Sequence, residues 1–599
     1  MTAPSPATKN GIKQTECRFA VHSTGKEDRS DFHLIKLVDT KEDGTQVPRL
    51  SYAREFKRPF WVLKKGERTF KDFREWISQD KLNRYETTQS RLTESVANAL
   101  GKPYFRGGMK DLCQEPYVFG TDISSTAIIK HDINDRAELT PYSVGVYDTE
   151  VDVVHGTDQV IINTISFKTH IYTAVKASFL KGYSDPIPGI QALIQRYLGT
   201  LLAERGATVV VEVFETEYEI IKACVKRIHD WMPDFVAVWN IEYDMDKIID
   251  ACARVGVDPA ELLSHPSVPK EYRHFKFKKG AAKKETASGR IINFKPSQRW
   301  HEVRVPSASF WIDAMQSYRQ VRTGAPEEPS YALDAILAKH KLPSKLKFAD
   351  LDDAKAPPAG TLQWHQYMQE KYPLHYVVYN IFDCVGVEML DESTKDLQLS
   401  LPMFAGCTDF GQFNSLPRKT TNELHWECLK EGKVISSTAS DMTTDGDDAT
   451  TDVKGWIVML ATHQIADNGL QLIKGMPQLR TNIRTHGADL DVAGAYPTNE
   501  STMNVSRETT VCELVKMIRA NGEEIPEEVV RAQTINFSGG KTNSLEFCQV
   551  LFGMPTLTEL VEHYDASLTN TTAPVRENFV SRFRKWLYSN KKAQPHLGW

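Results

Sequence analysis

The pattern of apolar and polar positions predicts strands that alternate with helices in the middle of the chain. Valine-rich runs at 142–154 and 207–214 are typical of strands, and a short apolar run at 235–240 predicts another buried strand. Apolar residues recur at helical spacing at 217–232 and again at 372–397. This alternation predicts the α/β fold class, with a central sheet covered by helices.

Changes in this pattern divide the chain into four predicted regions. Residues 1–125 mix strand-like and helical stretches with many aromatic residues, so we expect a mixed α/β N-terminal scaffold domain. Residues 126–397 hold the strand–helix alternation. A polar stretch at 436–452 predicts a linker or surface loop inside the third region, 398–510, and the last region, 511–599, is predicted to be helix-rich.

Composition narrows the class of protein. A chain of 599 residues exceeds what one hydrophobic core serves, so we expect three or so domains. With 41% apolar and 25% charged residues, and no apolar run long enough to cross a bilayer, the sequence predicts a cytoplasmic protein without a membrane partner. Nine cysteines without a C-x-x-C pair argue against a zinc ribbon or a disulfide framework, and we expect reduced core thiols.

The formal net charge of −5 excludes binding of nucleic acid by bulk positive charge, so any contact with DNA must be local. The segment 274–290 is a candidate, because its glycine and alanine residues predict a hairpin tip that carries basic side chains. These side chains are Lys276, Lys278, Lys279, Lys283, Lys284 and Arg290. A solvated loop without a partner is the alternative interpretation.

The first candidate site is a pair of acidic residues at the end of a predicted strand. Asp148 and Glu150 are two positions apart, so the alternation of a strand turns both side chains to one face of the sheet. Two carboxylates on one face repel each other unless a cation lies between them. A solvent-facing pair at a strand end is the alternative.

Two further candidates follow along the chain. A predicted strand ends at Asn240 and a helix begins near Asp244, which is either a site residue or a cap of that helix. Tyr379 and Asp383 have i, i+4 spacing, which places the phenol and the carboxylate on one helical face. The surrounding residues are rich in apolar side chains, so we expect one face of this helix to be buried.

Taken together and in this order, the three elements resemble the exonuclease motifs of family B DNA polymerases. The matching patterns are D-x-E on a strand, N-x-x-[YF]-D after a strand and Y-x-x-x-D on a helix. The segments 309–322 and 330–342 also resemble this family, most closely the polymerases of tailed bacteriophages. The resemblance covers roughly residues 140–505 and implies a ribonuclease-H-like 3′→5′ exonuclease domain over 126–397.

The chemistry of phosphodiester hydrolysis explains why the candidate site residues are acidic. Hydrolysis of a phosphodiester needs an activated water and neutralisation of the developing charge, which two divalent ions supply. Carboxylates without histidine or cysteine suit Mg²⁺ or Mn²⁺. The resemblance implies that Asp148, Glu150 and Asp383 hold one ion and that Asp148 also contacts the second. It further implies that Asp244 acts on the second ion and that Tyr379 orients the attacking water.

An exonuclease of this kind acts on a frayed single-stranded 3′ end. In the family a hairpin between the second and third motifs helps to separate primer from template, so we expect DNA contacts at Asn240 and at the basic segment, through Lys278, Lys279, Lys283 and Lys284. Phe167 and Tyr172 are candidates for stacking on unpaired bases, with core packing as the alternative.

The stretch from Asp491 to residue 498 resembles the first polymerase motif of the family, D-x-x-S-L-Y-P-S. By that resemblance Asp491 would coordinate the catalytic Mg²⁺ ions with the carbonyl of Val492, and Tyr496 would lie under the sugar. Gly494 and Ala495 replace the usual serine and leucine. A strand that ends in a Tyr-Pro turn is the alternative. The region 398–510 is therefore predicted to be a partial palm.

The second palm motif, a D-T-D hairpin, is not found after Tyr496, and the fingers motif has only a faint echo at 541–544. One palm aspartate without its partner should support little synthesis. We therefore expect the N-terminal chain of a split replicative polymerase, completed by a second polypeptide in a phage-infected bacterial cytoplasm, with a sliding clamp as a further possible partner. The alternatives are a self-standing 3′→5′ DNA exonuclease with a vestigial palm and a non-catalytic DNA-binding assembly subunit.

Overall fold

The computed structural model describes residues 11–438, apart from 71–73, 75, 136, 286–290, 323–325, 352, 354, 403–412 and 414–415, and two strands beyond them, 534–537 and 540–543. Contacts divide the chain into two compact units, Met1–Arg68 with Arg74–Met442 and Thr69–Phe73 with Thr443–Trp599. The predicted palm residues Asp491, Val492 and Tyr496 lie outside the described residues.

The larger unit contains most of the described secondary structure. Its strands are β1 (Ile12–Thr24), β2 (Asp31–Lys41), β3 (Gln46–Arg54), β4 (Arg58–Leu63), β5 (Trp76–Ser78), β6 (Leu82–Thr87), β7 (Val118–Phe119), β8 (Val144–Val151), β9 (Val160–Phe167), β10 (His170–Lys176), β11 (Thr208–Phe214), β12 (Phe235–Val238), β13 (Lys276–Lys278), β14 (Lys283–Glu285), β15 (Ile291–Asn293), β16 (Glu302–Arg304), β17 (Phe310–Asp313) and β18 (Lys433–Ile435). Its α-helices are α1 (Leu92–Leu100), α2 (Met109–Leu112), α3 (Ser125–Asn134), α4 (Pro186–Arg205), α5 (Glu217–Trp231), α6 (Ile241–Arg254), α7 (Pro259–Leu263), α8 (Ala314–Val321), α9 (Leu333–Lys339), α10 (Leu362–Lys371), α11 (Pro373–Thr394) and α12 (Leu416–Lys430).

The N-terminal part is built from small antiparallel sheets. Strands β1, β2 and β3 form one sheet, β6, β4 and β7 form a second in that order, and β5 pairs with β18. Helix α3 packs against β1. This mixture of strands and helices agrees with the mixed α/β character predicted from the sequence.

A six-stranded mixed sheet lies at the centre of the larger unit, in the order β11-β10-β9-β8-β12-β17. Strands β8, β9 and β10 are antiparallel neighbours, whereas β11 is parallel to β10, β12 to β8, and β17 to β12. Helices α4 and α11 cover one face, and α5 and α6 cover the other. The predicted α/β class with a central sheet is confirmed.

Local sequence explains these elements. Every residue of β9 is buried, as expected for a strand with helices on both faces. Helix α5 begins with a capping box in which Thr216 and Glu219 satisfy each other's backbone amides. Helix α4 starts at Pro186 and ends at Arg205, and the C-cap residue Gly206 has a left-handed φ of 59° that glycine adopts without strain.

The described secondary structure of the second compact unit is one hairpin, β19 (Thr534–Phe537) paired with β20 (Gly540–Asn543). The prediction that residues 511–599 are helix-rich stays a prediction, because only this hairpin is described in that region. The β-branched side chains of Thr534 and Ile535, followed by a glycine-containing turn sequence, favour a hairpin.

The helices and cysteines of the described residues can be compared with the predictions made from composition. None of their helices combines the length and the apolar character needed to cross a bilayer. Their six cysteines are free thiols, and five of them are buried, which agrees with the prediction of core thiols.

Candidate active site

Three parallel strands of the central sheet end at the same edge, and the acidic residues gather there. Ala237 of β12 lies opposite Val146 of β8, and Val238 lies opposite Asp313 of β17. Carboxyl ends of parallel strands form the usual position for binding sites in α/β sheets. This register brings the end of β8, the start of α6 and the end of β17 close together.

The last residues of β8 contact helices on both faces of the sheet. Asp148 and Glu150 face α11, where Asn380 Nδ2 donates to Asp148 Oδ2 at 2.6 Å and Tyr376 Oη donates to Glu150 Oε2 at 2.6 Å. Thr149, between them, faces α6. The predicted common face of the two carboxylates is therefore present, and it is turned toward a helix rather than toward bulk solvent.

Asp244 lies on α6 and contacts the middle residue of the D-x-E motif. Its Oδ1 accepts hydrogen bonds from the Thr149 backbone amide at 2.9 Å and from Thr149 Oγ1 at 2.5 Å. The alternative prediction, that Asp244 caps this helix, is wrong, because the N-cap residue is Asn240 and the helix begins at Ile241. Asn240 itself is exposed, and its side chain makes no capping hydrogen bond.

Asp313 at the end of β17 caps two helices at once, a role that the sequence did not reveal. Its Oδ2 accepts from the amide of Ile241 at 3.0 Å, and its Oδ1 accepts from the amide of Gln316 at 2.7 Å. Burial, and next the nearby charges of Asp244 and Glu242, raise its pKa to about 8, although the two amides oppose this shift. Asp313 thereby ties the first turn of α6 to the sheet edge.

Helix α11 supplies Asp383 and Tyr379, and both contact a lysine from the segment between α9 and α10. Lys345 Nζ donates to Asp383 Oδ2 at 2.5 Å and to Tyr379 Oη at 3.1 Å. Asp383 Oδ1 is buried and has no hydrogen-bond partner. Nothing in the sequence pattern around Lys345 indicated this contact, because a lone lysine between helices is usually a surface residue.

The carboxylates converge tightly. One oxygen each from Asp148, Glu150 and Asp383 can be chosen so that all lie within 4.8 Å of one another. Asp244 belongs to no such group in the described part of the chain, but it adjoins this one, since its charge is the main electrostatic repulsion on Asp148. Three of the four predicted acidic residues thus form one cluster with the fourth beside it.

The cluster carries more negative charge than its surroundings neutralise. Burial, followed by repulsion from the other three carboxylates, raises the pKa of Asp148 well above its usual range. Burial also raises the pKa of Glu150 to about 8, of Asp244 to about 7, and that of Asp383 against the opposing effect of Lys345. In such a cluster either protons or a multivalent cation must supply the missing positive charge.

The donor set fits a hard divalent cation. All three clustered ligands are carboxylate oxygens, with no histidine or cysteine among them, and this is the chemistry that Mg²⁺ and Mn²⁺ prefer. The unpartnered Oδ1 of buried Asp383 is a further indication, because a buried polar atom without a hydrogen bond is costly unless a ligand satisfies it.

The basic segment forms an antiparallel ribbon, as its glycine and alanine residues predicted. Strand β13 pairs with β16, and β14 pairs with β15. Lys279 lies near its base and forms ion pairs with Asp246 at 2.6 Å and Glu242 at 3.6 Å, both on α6. Its charge is therefore paired with carboxylates of α6, and the contact of Lys279 with DNA stays a prediction.

The other predicted lysines of the ribbon are distributed along its length. Lys278 is half-buried in β13, Lys283 is exposed in β14 and Lys284 follows it there, while Arg290 lies outside the described residues. Lys276, at the start of β13, is also exposed.

The aromatic candidates for base stacking are core residues instead. Phe167 is buried and stacks on Trp231, and Tyr172 is buried with its hydroxyl bonded to Glu212. Tyr243 is the aromatic residue that the sequence analysis overlooked: it is 42% exposed and precedes Asp244 on α6. Its place in the N-x-x-[YF]-D pattern was the available signal.

The described residues thus bring together Asp148, Glu150, Tyr379 and Asp383, with Asp244 alongside. Of the other predicted residues, Asn240 lies at the start of α6, and Lys278, Lys279, Lys283 and Lys284 lie on the ribbon. No family model and no curated protein matches this chain.

Proposed function

We propose that this chain is a 3′→5′ exonuclease that removes nucleotides from DNA 3′ ends with the help of two Mg²⁺ or Mn²⁺ ions. The observation that carries the proposal is the convergence of Asp148, Glu150 and Asp383 within 4.8 Å, where Lys345 forms an ion pair with Asp383. The mixed sheet flanked by helices is compatible with the ribonuclease-H-like domain that the motifs imply.

In this proposal Asp148, Glu150 and Asp383 hold the ions, and Asp244 acts on the second one. Bound divalent cations supply activation of water and neutralise charge on the phosphate that is attacked. Tyr379 Oη accepts a hydrogen bond from Lys345, so its own proton can be donated to Asp383, to water or to a substrate oxygen. Lys345, beside Asp383 and Tyr379, would add a positive charge that stabilises the attacked phosphate.

The substrate end would be single-stranded. Tyr243 offers an exposed ring beside Asp244, and stacking of an unpaired base on an aromatic ring contributes about 1 to 3 kcal/mol. The exposed Lys283 on the ribbon offers positive charge to the backbone of the strand. These two features support a frayed strand rather than a duplex as the substrate.

The experiment that tests the proposal uses the purified chain and a 5′-labelled single-stranded oligonucleotide with Mg²⁺. We expect a ladder that shortens from the 3′ end, is abolished by chelation and is blocked by a 3′-terminal phosphorothioate. The Asp148→Asn variant should lose this activity. Asp230→Asn, which removes an exposed carboxylate paired with Lys226, is the matched control and should retain it. Degradation by Asp148→Asn at the wild-type rate would refute the proposal.

We further propose that the chain is the N-terminal polypeptide of a split family B replicative polymerase. The support is the resemblance of the stretch around Asp491 to the first palm motif and the missing second palm motif. Primer extension that requires a second polypeptide is the expected result. Primer extension by the chain alone would refute the proposal that its palm is incomplete. If candidate second polypeptides are present and the DNA is degraded but never extended, the result would favour a self-standing exonuclease. Loss of both activities would leave a DNA-binding assembly subunit.

A further inference from the structure

A chain of hydrogen bonds leads from the metal-binding cluster to a histidine on α10. Tyr376 Oη, on α11, lies 2.6 Å from Glu150 Oε2 and 2.7 Å from His365 Nδ1. The tyrosine is 1% exposed, whereas the histidine is only partly buried. Neither residue belongs to the motifs that predicted the site.

The donors and acceptors of this chain can be assigned. Once a cation has displaced its proton, the Glu150 carboxylate only accepts hydrogen bonds, so the single hydroxyl proton of Tyr376 goes to Glu150. The tyrosine oxygen then has to accept from His365, which requires a proton on Nδ1. Burial, and next the charge of Lys345, lower the pKa of His365 to about 4, so the imidazole is neutral, and its contact with the tyrosine oxygen favours the tautomer with the proton on Nδ1.

Aromatic packing holds these groups in place. The ring of Tyr376 stacks on that of Tyr379 with centroids 5.6 Å apart and an interplanar angle of 10°. The His365 ring meets both tyrosines edge-on, and Trp364 packs against Tyr379. Rings packed in this way have little rotational freedom, so the hydroxyl of Tyr376 is directed at Glu150 before any ion binds.

We propose that Tyr376 and His365 are positioning residues that hold Glu150 through Oε2 and leave Oε1 for the divalent cation. The inference rests on the proposed metal-dependent function. Partners that hydrogen-bond to a metal ligand fix its orientation, and their loss typically costs about 10- to 100-fold in metal affinity or activity. A phenylalanine at 376 would preserve the packing and remove only the hydrogen bond, which separates positioning from simple core filling.

The test measures Mn²⁺ binding to the full chain by electron paramagnetic resonance, together with the Mn²⁺ concentration for half-maximal exonuclease rate. We expect Tyr376→Phe to raise the dissociation constant for Mn²⁺ and the Mn²⁺ concentration for half-maximal rate, each by about 10- to 100-fold. Much of the rate should be restored at saturating Mn²⁺. Tyr372→Phe is the matched control, since it removes a hydroxyl bonded to Asp353 from the tyrosine at the N-cap of the same helix, α11. It should bind Mn²⁺ like the wild type.

Two substitutions of His365 test the assigned proton. The amide nitrogen of asparagine occupies nearly the position of Nδ1, so His365→Asn should preserve the donor and retain Mn²⁺ affinity. The amide nitrogen of glutamine corresponds to Nε2 instead, so His365→Gln should weaken binding as Tyr376→Phe does. Equal affinities for these two variants would overturn the role of His365.

The outcomes also separate the inference from the proposed function. Wild-type protein that binds Mn²⁺ and degrades DNA, together with Tyr376→Phe that binds as tightly as Tyr372→Phe, overturns the inference alone. Wild-type protein that neither binds Mn²⁺ nor degrades DNA overturns both. If Tyr376→Phe loses its thermal transition, the comparison of His365→Asn with His365→Gln decides the matter.

Discussion

Addition of Mg²⁺ to the metal-free chain should stabilise the folded state, and more strongly at about pH 8 than at about pH 6. The pKa of Glu150 is raised to about 8 and that of Asp244 to about 7 by burial in the cluster. Carboxyls whose pKa is raised on folding contribute stability that is complete below their ordinary values and is lost as the pH rises through about 7 to 8. A bound cation removes this penalty because it replaces the protons.

The magnitude follows from the same values. One pKa unit corresponds to about 1.4 kcal/mol, so displacing a proton from Glu150 costs about 3 kcal/mol at pH 6 and close to nothing at pH 8. The dissociation constant for Mg²⁺ should therefore be about 100-fold higher at the lower pH. When the ion is at about 100 times its dissociation constant, the folded state gains about 2.7 kcal/mol. For a unit of more than 400 residues, that gain raises Tm by roughly 3 °C.

The assay is a thermal melt with Mg²⁺ and with chelator at both pH values, with ionic strength matched by NaCl so that screening is equal. The double variant Asp148→Asn/Glu150→Gln is the control and should show no shift with Mg²⁺. Without metal it should melt above the wild type at pH 8, because two buried repelling charges are gone. A Tm shift of the same size at both pH values, or one that survives in the double variant, would refute this account of the cluster.

Three further predictions concern the acidic cluster, Asp313 and the lysines of the ribbon. Asp148→Asn and Asp148→Asn/Glu150→Gln should lower the single-turnover exonuclease rate by the same factor, since ligands of one ion act as a unit; a markedly larger loss in the double variant would argue for independent roles. Asp313→Ala should lower the free energy of unfolding by roughly 1 to 4 kcal/mol through the loss of two helix caps, and an unchanged urea midpoint would contradict it. Lys283→Ala should reduce the slope of log affinity for single-stranded DNA against log salt by about 0.7, whereas Lys279→Ala, whose charge is paired, should leave it nearly unchanged in anisotropy titrations.

The elements that form the site were predictable where local pattern determines structure. The alternation in β8 placed Asp148 and Glu150 on one face, and the helical spacing in α11 placed Tyr379 near Asp383. Both periodicities are properties of a few consecutive residues. The ribbon also followed from its own turn-forming residues.

Contacts between distant segments were not predictable in this way. Lys345 meets Asp383 across 38 positions, and Asp313 caps a helix that begins 72 positions earlier. Nothing in the neighbourhood of either residue indicates its partner, because only the packing of α11 on the sheet and the order of the strands bring them together. Tyr172 was misjudged for a related reason, since only the sheet order shows that its ring is covered.

The alternating contacts of β8 restrict how this strand can change. Asp148 and Glu150 reach α11 while Thr149 reaches α6, so three consecutive residues join the helical layers on opposite sides of the sheet. Insertion or deletion of one residue upstream in β8 would exchange the two sides, with threonine turned to α11 and both acids turned toward Asp244. We therefore expect insertions and deletions to be tolerated in the loops but not in β8. The two-residue spacing of Asp148 and Glu150 is required by the alternation of side chains along the strand as well as by the chemistry.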